Sequence, residues 1–220
     1  QFNAGLIFNM NRNKVIDIGS QERSGYIIDA NGLRFEPYGE GILNDAYLNV
    51  LAIGHPINSF YGYRVNGIIQ NRTGSTAKNN QPGEFNYVGL KGDGGVDPAA
   101  RTIIGDPNPD FTASLNLQLT HTSGFDLAVL LYGMYGNDIF ATRKLDRASL
   151  QIERWTGENP TNDRPSLRAD RQYLASSWFI EDGSFLRLKT ISLTYSLPKA
   201  LFRKIKLQKL DVFASAQNLF

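Results

Sequence analysis

Chemistry in this chain has to come from carboxylates, histidines and hydroxyls, because it contains no cysteine. The phrase richest in closely spaced oxygens is Lys91-Gly92-Asp93-Gly94-Gly95-Val96-Asp97. Carboxylates gathered around a sharp glycine turn suit Ca²⁺. Aligned on a calcium-binding EF-hand loop, Asp93 takes the fifth position, Gly94 the sixth and Asp97 the ninth, but the first, third and twelfth fall on Gly89, Lys91 and Ala100. A lysine and two side chains without oxygen remove most of the charge such a loop needs. A metal-free turn is therefore expected, and no cofactor. The two histidines, His55 and His121, stand far apart in sequence with no further ligands at zinc spacing; both read as surface or rim residues. No G-x-S-x-G phrase occurs, and Glu181-Asp182 precedes Gly183 as a turn former and not as a glycosidase couple. Gly39-Glu40-Gly41 and Gly92-Asp93-Gly94 lack the flanking strand and helix of a phosphate cradle. The residues point away from an enzyme. A net charge of +2, from 23 basic and 21 acidic residues, gives no reason to expect a nucleic-acid partner.

The elements around these residues are strands. Between Phe111 and Gly136, Phe111, Ala113, Leu115, Leu117 and Leu119 alternate with Thr112, Ser114, Asn116, Gln118 and Thr120. Period-2 alternation puts the apolar side chains on one face and the polar ones on the other. Thr122-Ser123-Gly124 is a short connector, so a second strand returns from Phe125. Residues 1–10 show the same alternation, and a short return strand is expected over Lys14–Ile18 after the Asn11-Arg12-Asn13 turn. Short apolar runs at Tyr26–Ile28 and Tyr47–Leu51 predict one or two brief strands, and SFYGYRVNGII another over 59–69. From Ile191, Leu193, Tyr195 and Leu197 the pattern runs back to Arg187 and Lys189 on the same parity. Either the strand leaves its apolar surroundings there or a bulge near Thr190 resets the face. Lys199–Gln208 reads as a basic connector with one helical turn through Leu201 and Ile205, followed by a last alternating strand from Leu210 to Ala216.

Short connectors alternate with long excursions near 19–53, 70–110 and 140–183. Few water-soluble domains tolerate three such loops. A transmembrane β-barrel has short turns on one side and long loops on the other, and its strands need about 9–11 residues to cross. Alternating strands also build soluble sandwiches, so periodicity alone leaves a soluble carbohydrate- or cell-surface-binding β-domain open. The loop asymmetry and the aromatics near strand ends (Tyr132, Tyr135, Phe185, Tyr195) favour the barrel. No apolar run of 18 residues exists, so a membrane-spanning helix is not expected. Gln1 opens directly on strand pattern, and the stretch is expected to be part of something longer.

Specific phrases carry the reading further. GHPINSFYGYRVNGIIQ (54–70), PGEFNYVGLKGDGGVD (82–97), RTIIGDPNPDFTASLNLQLTHTSGFDLAVLLYGMYGNDIF (101–140), RWTGENPTNDRPSL (154–167) and SSWFIEDGSFLRLKTISLTYSLPKALFRKI through DVFASAQNLF (176–220) occur in order. With them the chain resembles the C-terminal part of SusC/RagA-type TonB-dependent outer-membrane transporters of Bacteroidetes. The resemblance implies an all-β, antiparallel, up-and-down transmembrane β-barrel segment spanning residues 1–220, part of a plugged barrel of the 22-stranded kind. It implies localisation in the outer membrane of a Gram-negative bacterium, and active import of a glycan, oligosaccharide or peptide. Implied partners are a SusD-like surface lipoprotein, the TonB complex acting through an upstream part, and outer-membrane lipid. Plug, TonB-contacting segment and signal peptide lie upstream in the family. If the apolar parity faces lipid, Asn116 and Gln118 line the lumen, where uncharged donors and acceptors suit water, a plug or a neutral sugar. Trp155 and Trp178, in the loops, could stack on sugar rings or peptide side chains, or pack the loops together.

Overall fold

In the computed structural model, residues 1–19, 27–29, 31–38, 43, 48–71, 77, 80–145, 153–168, 171, 173–199 and 207–220 are described. The Gly39-Glu40-Gly41 phrase, the residues Tyr26 and Tyr47, and the expected helical turn through Leu201 and Ile205 lie outside them. The strands are β1 (Phe2–Asn9), β2 (Ile27–Ile28), β3 (Arg34–Tyr38), β4 (Asn49–Ala52), β5 (Ser59–Tyr63), β6 (Val65–Ile68) and β7 (Phe85–Tyr87). They continue with β8 (Arg101–Gly105), β9 (Phe111–Thr120), β10 (Phe125–Tyr135), β11 (Asp138–Phe140), β12 (Ile180–Asp182), β13 (Phe185–Ser196) and β14 (Asp211–Gln217). Apart from short 3-10 turns, the described residues form an all-β, antiparallel structure.

Two compact units emerge. The first holds residues 1–11, 109–137 and 183–220; the second holds 12–108 and 138–182. The first unit is one sheet in the order β1-β9-β10-β13-β14, an up-and-down meander in which spatial order follows chain order. Its connections are asymmetric. Residues 10–110 and 136–184 leave and rejoin the sheet at the end where Phe8 faces Ala113 and Met134 faces Phe185. At the opposite end β9 turns into β10 over three residues, and residues 197–210 connect β13 to β14.

At the β9–β10 turn, the His121 N–H donates to the Phe125 carbonyl, leaving Thr122-Ser123-Gly124 as the loop. Gly124 has φ +98°, and a Cβ there would lie 2.6 Å from the Ser196 carbonyl oxygen, so left-handed backbone and close strand approach both demand glycine.

The parity conflict on β13 resolves as a bulge. Leu130 faces Thr190 and Leu131 faces Leu188, which leaves Lys189 as the extra residue. Ile191, Leu193 and Tyr195 therefore share a face with Leu186 and Leu188, while Arg187 moves to the face of Tyr132.

The expected return strand over Lys14–Ile18 does not form. Val15 instead exchanges backbone hydrogen bonds with Gly54 and His55, at 2.8 and 2.9 Å. The run over 59–69 divides at Arg64 into β5 and β6, which join different sheets. Tyr61 and Tyr63 are both buried, in different clusters, and neither belongs to the long meander. The separate excursions expected near 19–53 and 70–110 thus belong, with 140–182, to the second unit.

That unit contains a five-stranded sheet (β2-β3-β4-β5-β8), the pairs β6-β7 and β11-β12, and the chain's buried apolar core. Val50, Ala52 and Tyr61 form one cluster. Tyr63, Ile68, Phe85 and Tyr87 form a second, against which Trp155, Tyr173, Leu174 and Trp178 pack. Gly62 permits a close approach here: a Cβ would stand 2.3 Å from the Ala175 carbonyl oxygen, the same carbonyl that accepts the Tyr63 N–H at 2.8 Å.

Candidate functional site

The first unit has one face unlike any water-facing surface. The register aligns Phe2, Ala4, Leu6 and Phe8 on β1 with Leu119, Leu117, Leu115 and Ala113 on β9. It continues through Leu127, Val129 and Leu131 on β10, Leu193, Ile191 and Leu188 on β13, and Val212, Ala214 and Ala216 on β14. No charged residue falls on this face. Its side chains are open: Leu6 is 73% exposed, Leu186 65% and Val212 60%. Covering a large apolar side chain stabilises by about 1.5–3 kcal/mol, so a continuous face of this size calls for an apolar cover.

Aromatic rings mark both ends of the face. Phe111 stacks between Phe8 and Tyr135 at centroid distances of 5.3 Å on either side, and Phe125 meets Tyr195 at 4.6 Å. At about 3.4 Å per residue and a tilt of roughly 40°, the rise from Phe125 to Tyr135 is about 26 Å, close to the apolar band of an outer-membrane barrel. A depression of about 450 Å³ lies where Gly133 supplies no side chain, bordered by Leu6, Phe111, Leu115, Leu131, Tyr135 and Leu186.

The opposite face carries the polar rows Thr112, Ser114, Asn116, Gln118 and Thr120 of β9 and Thr190, Ser192 and Thr194 of β13, together with the apolar Ile7, Leu130, Met134 and Phe213. Asn116 stands between Gly5 and Leu130, and Gln118 between Asn3 and Ala128; both are exposed. The Gln118 amide and the Thr120 hydroxyl donate to the Asp126 carboxylate at 3.2 and 2.8 Å. The two residues picked from the sequence as lumen-facing thus share one polar surface.

The other singled-out residues are used internally. The Trp155 indole N–H donates to Gln70 at 2.9 Å, and that of Trp178 to the Asp163 carbonyl at 2.7 Å. Trp178 also packs on Phe85 and Phe179, with centroids 5.1 and 4.9 Å apart, beneath the Lys144 ammonium. Both tryptophans hold the second unit together. Asp93 accepts the Gly95 N–H at 2.9 Å, and Asp97 accepts the Ala99 N–H at 3.2 Å with Lys91 3.8 Å away. Each carboxylate shapes its own turn, and no group of three potential metal ligands occurs among the described residues. His121 pairs with Ser123 in the short turn, and the backbone of His55 meets Val15 and Ala52.

Long-range pairing supplied what local pattern could not. Glu84 and Arg171 have side chains only 5% and 3% exposed, and they join bidentately at 2.8 and 2.9 Å; Arg168 adds a bond at 2.9 Å. Burial works against the Arg171 charge, but the hydrogen bonds and charge of Glu84 outweigh it and hold the guanidinium pKa above its usual value. A cavity of about 250 Å³ opens beside the pair, walled by Tyr63, Phe85, Tyr87, Gly94 and Leu174. Burial likewise raises the Tyr61 hydroxyl pKa, reinforced by Asp29, to which that hydroxyl donates at 3.1 Å.

Comparison with known proteins places the chain beside TonB-dependent receptors. The chain is 30% identical to TonB-dependent receptor P3 of Formosa agariphila over 99% of its own length and 22% of that protein. It is 24% identical to TonB-dependent receptor P26 of the same organism over 97% and 22%. Over nearly its whole length the chain thus matches part of the TonB-dependent receptors. The chain spans about a fifth of the length of these relatives. No family model matches it. Among solved structures, the RagAB peptide transporter superposes over the whole chain and 23% of its own, with a TM-score of 0.72 at 21% identity. The 'open-open' state of the RagAB peptide importer gives 0.63 at 20%. The chain thus has the fold of part of the RagAB peptide transporter.

Proposed function

We propose that this chain is a wall segment, with its attached excursions, of an outer-membrane transporter that imports a glycan, oligosaccharide or peptide in a TonB-dependent manner. The supporting observation is the charge-free face of the five-stranded sheet, bounded at both ends by aromatic rings and spanning about one apolar membrane thickness. In lipid such a sheet is viable when every backbone edge finds a partner, so closure into a barrel with further strands belongs to the proposal. The end from which both long excursions leave is the extracellular one, and the short turns face the periplasm. The polar face, with Asn116 and Gln118, lines a plugged lumen. A SusD-like lipoprotein covers the outer mouth, and the TonB contact is made by the rest of the transporter.

These residues contain no cysteine, so single cysteines introduced here make the orientation testable once any native cysteine elsewhere in the transporter is replaced. In the full-length transporter in lipid, nitroxide labels on Leu117→Cys and Asn116→Cys are compared for relaxation by oxygen and by a water-soluble nickel chelate. Oxygen should dominate at position 117 and the chelate at position 116. Equal chelate access at both positions would sink the barrel reading in favour of a water-soluble β-domain. Uptake of a labelled oligomer by energised cells, lost when TonB is removed, tests the transport step separately.

A further inference from the structure

The five long strands carry four charged residues, Asp126, Arg187, Lys189 and Asp211, and their placement is polarised. The acids lie toward the short-turn end. Each has a partner: Asp126 accepts from Gln118 and Thr120, and Asp211 pairs with Lys209 at 2.7 Å. The cations lie toward the excursion end, and among the described residues neither has a carboxylate partner. The Arg187 guanidinium sits 5.0 Å from the Phe185 ring centroid, and the Lys189 ammonium 5.9 Å from that of Tyr132; the two rings are 5.8 Å apart.

The backbone delivers both cations to this surface. With unbroken alternation, Arg187 and Lys189 would share the apolar parity of Ile191. The extra residue at Lys189 turns Arg187 onto the face of Tyr132 while Leu186 and Leu188 keep the oily one. An aromatic face attracts a cation but does not cancel its formal charge. Two exposed cations on a wall backed by lipid focus a positive potential, and a guanidinium fork suits a carboxylate. Nearby Ser114, opposite Tyr132, offers a neutral hydroxyl.

From this we infer that the Arg187–Lys189 patch captures carboxylate-bearing cargo on the lumen wall near the outer mouth. The inference rests on the transport reading above and narrows its substrate class. Carboxylates could come from an acidic peptide or a uronic-acid oligosaccharide, and the patch chemistry is shared.

The test uses the full-length transporter purified in detergent, with fluorescent hexaglutamate, hexaglutamine, oligogalacturonate and a neutral glucan oligomer as probes. Each acidic probe is compared with its neutral counterpart, which tells the two sources apart. At least one acidic probe should bind tenfold or more tightly than its neutral counterpart, and rising salt should erode the difference. Arg187→Gln with Lys189→Gln should abolish the preference, whereas Arg187→Lys with Lys189→Arg should keep it within about threefold, since either cation supplies the charge. Heat-modifiable migration on a gel verifies folding; if the double Gln variant fails to assemble, Lys189→Gln alone should reduce the preference severalfold. Equal binding of acidic and neutral probes overturns the inference. So does a double variant that binds like the parent, including one that melts earlier without losing the preference, which would assign the cations to the plug. Lipid exposure of Leu117 together with absent acidic preference would defeat this inference alone; a water-exposed Leu117 would defeat the transport reading beneath it.

Discussion

Leu6 on β1 is 73% exposed, and Phe179 in the second unit is 0% exposed. The contrast extends to the whole units. Every buried hydrophobic residue among those described lies in 12–108 or 138–182, and the long meander contributes none. The second unit solves the ordinary problem of water: it hides aromatic clusters, pairs Glu84 with two arginines, and satisfies the indole N–H groups internally. The meander inverts that arrangement and leaves a leucine-rich face open. On the proposed reading the two regions are stabilised against different solvents, one around its own core and the other through an apolar surrounding.

The strongest way to break this comparison is inside the second unit. Glu84→Gln leaves two guanidinium groups beside a neutral amide in a nearly dry site, and should destabilise it by about 3–5 kcal/mol. Hydrogen exchange across residues 80–90 and 164–175 of the full-length protein should rise, with little change in β9 and β10. A meander that opened to the same extent would show that the two units do not draw on separate stabilisation.

Next in size is a charge on the oily face. Leu115→Arg should weaken folding into liposomes by about 2–4 kcal/mol in urea titrations, while Asn116→Arg, one residue along on the polar face, should cost under about 1 kcal/mol. Equal costs would mean that both faces meet water. Gly62→Ala forces a Cβ to within 2.3 Å of the Ala175 carbonyl oxygen, so β5 or its neighbour must shift. We expect a loss of about 1–3 kcal/mol, read as a lower melting temperature of the second unit.

A smaller effect follows from pH. Burial raises the Glu181 pKa, but the Lys144 hydrogen bond and charge, with Arg143, outweigh it and bring the pKa below the usual glutamate value. A depressed folded pKa contributes stability above the unfolded value, lost as pH falls through the folded one. The melting-temperature gap between the parent and Glu181→Gln should therefore be constant from pH 6 to 8 and shrink below about pH 4.5. The smallest expected effect is none: added calcium or excess EDTA should leave melting unchanged, because Asp93 and Asp97 already serve their own turns. A calcium-dependent rise would restore a metal role to that loop.

Local pattern made the meander legible. Alternation placed Phe111 to Leu119 on one face, and the parity conflict of Arg187 and Lys189 with Ile191 left two readings, of which the β10–β13 register shows the bulge. The same reasoning misjudged Lys14–Ile18, because a short extended run says nothing about its partner, and Val15 finds its own at Gly54 and His55. It read 59–69 as one strand because alternation cannot show that β5 and β6 join different sheets.

By itself, then, the sequence determined the two-faced strands, the glycine turn at 122–124 and the family phrases, since side-chain periodicity and backbone freedom are local properties. Tertiary structure decided the rest. It joined Glu84 to Arg171 across 87 positions, packed Trp155 and Trp178 against a core, and let one extra residue at Lys189 sort cations from leucines. These outcomes depend on which distant surfaces meet, and chain-entropy costs and packing fix that only once the whole chain has folded.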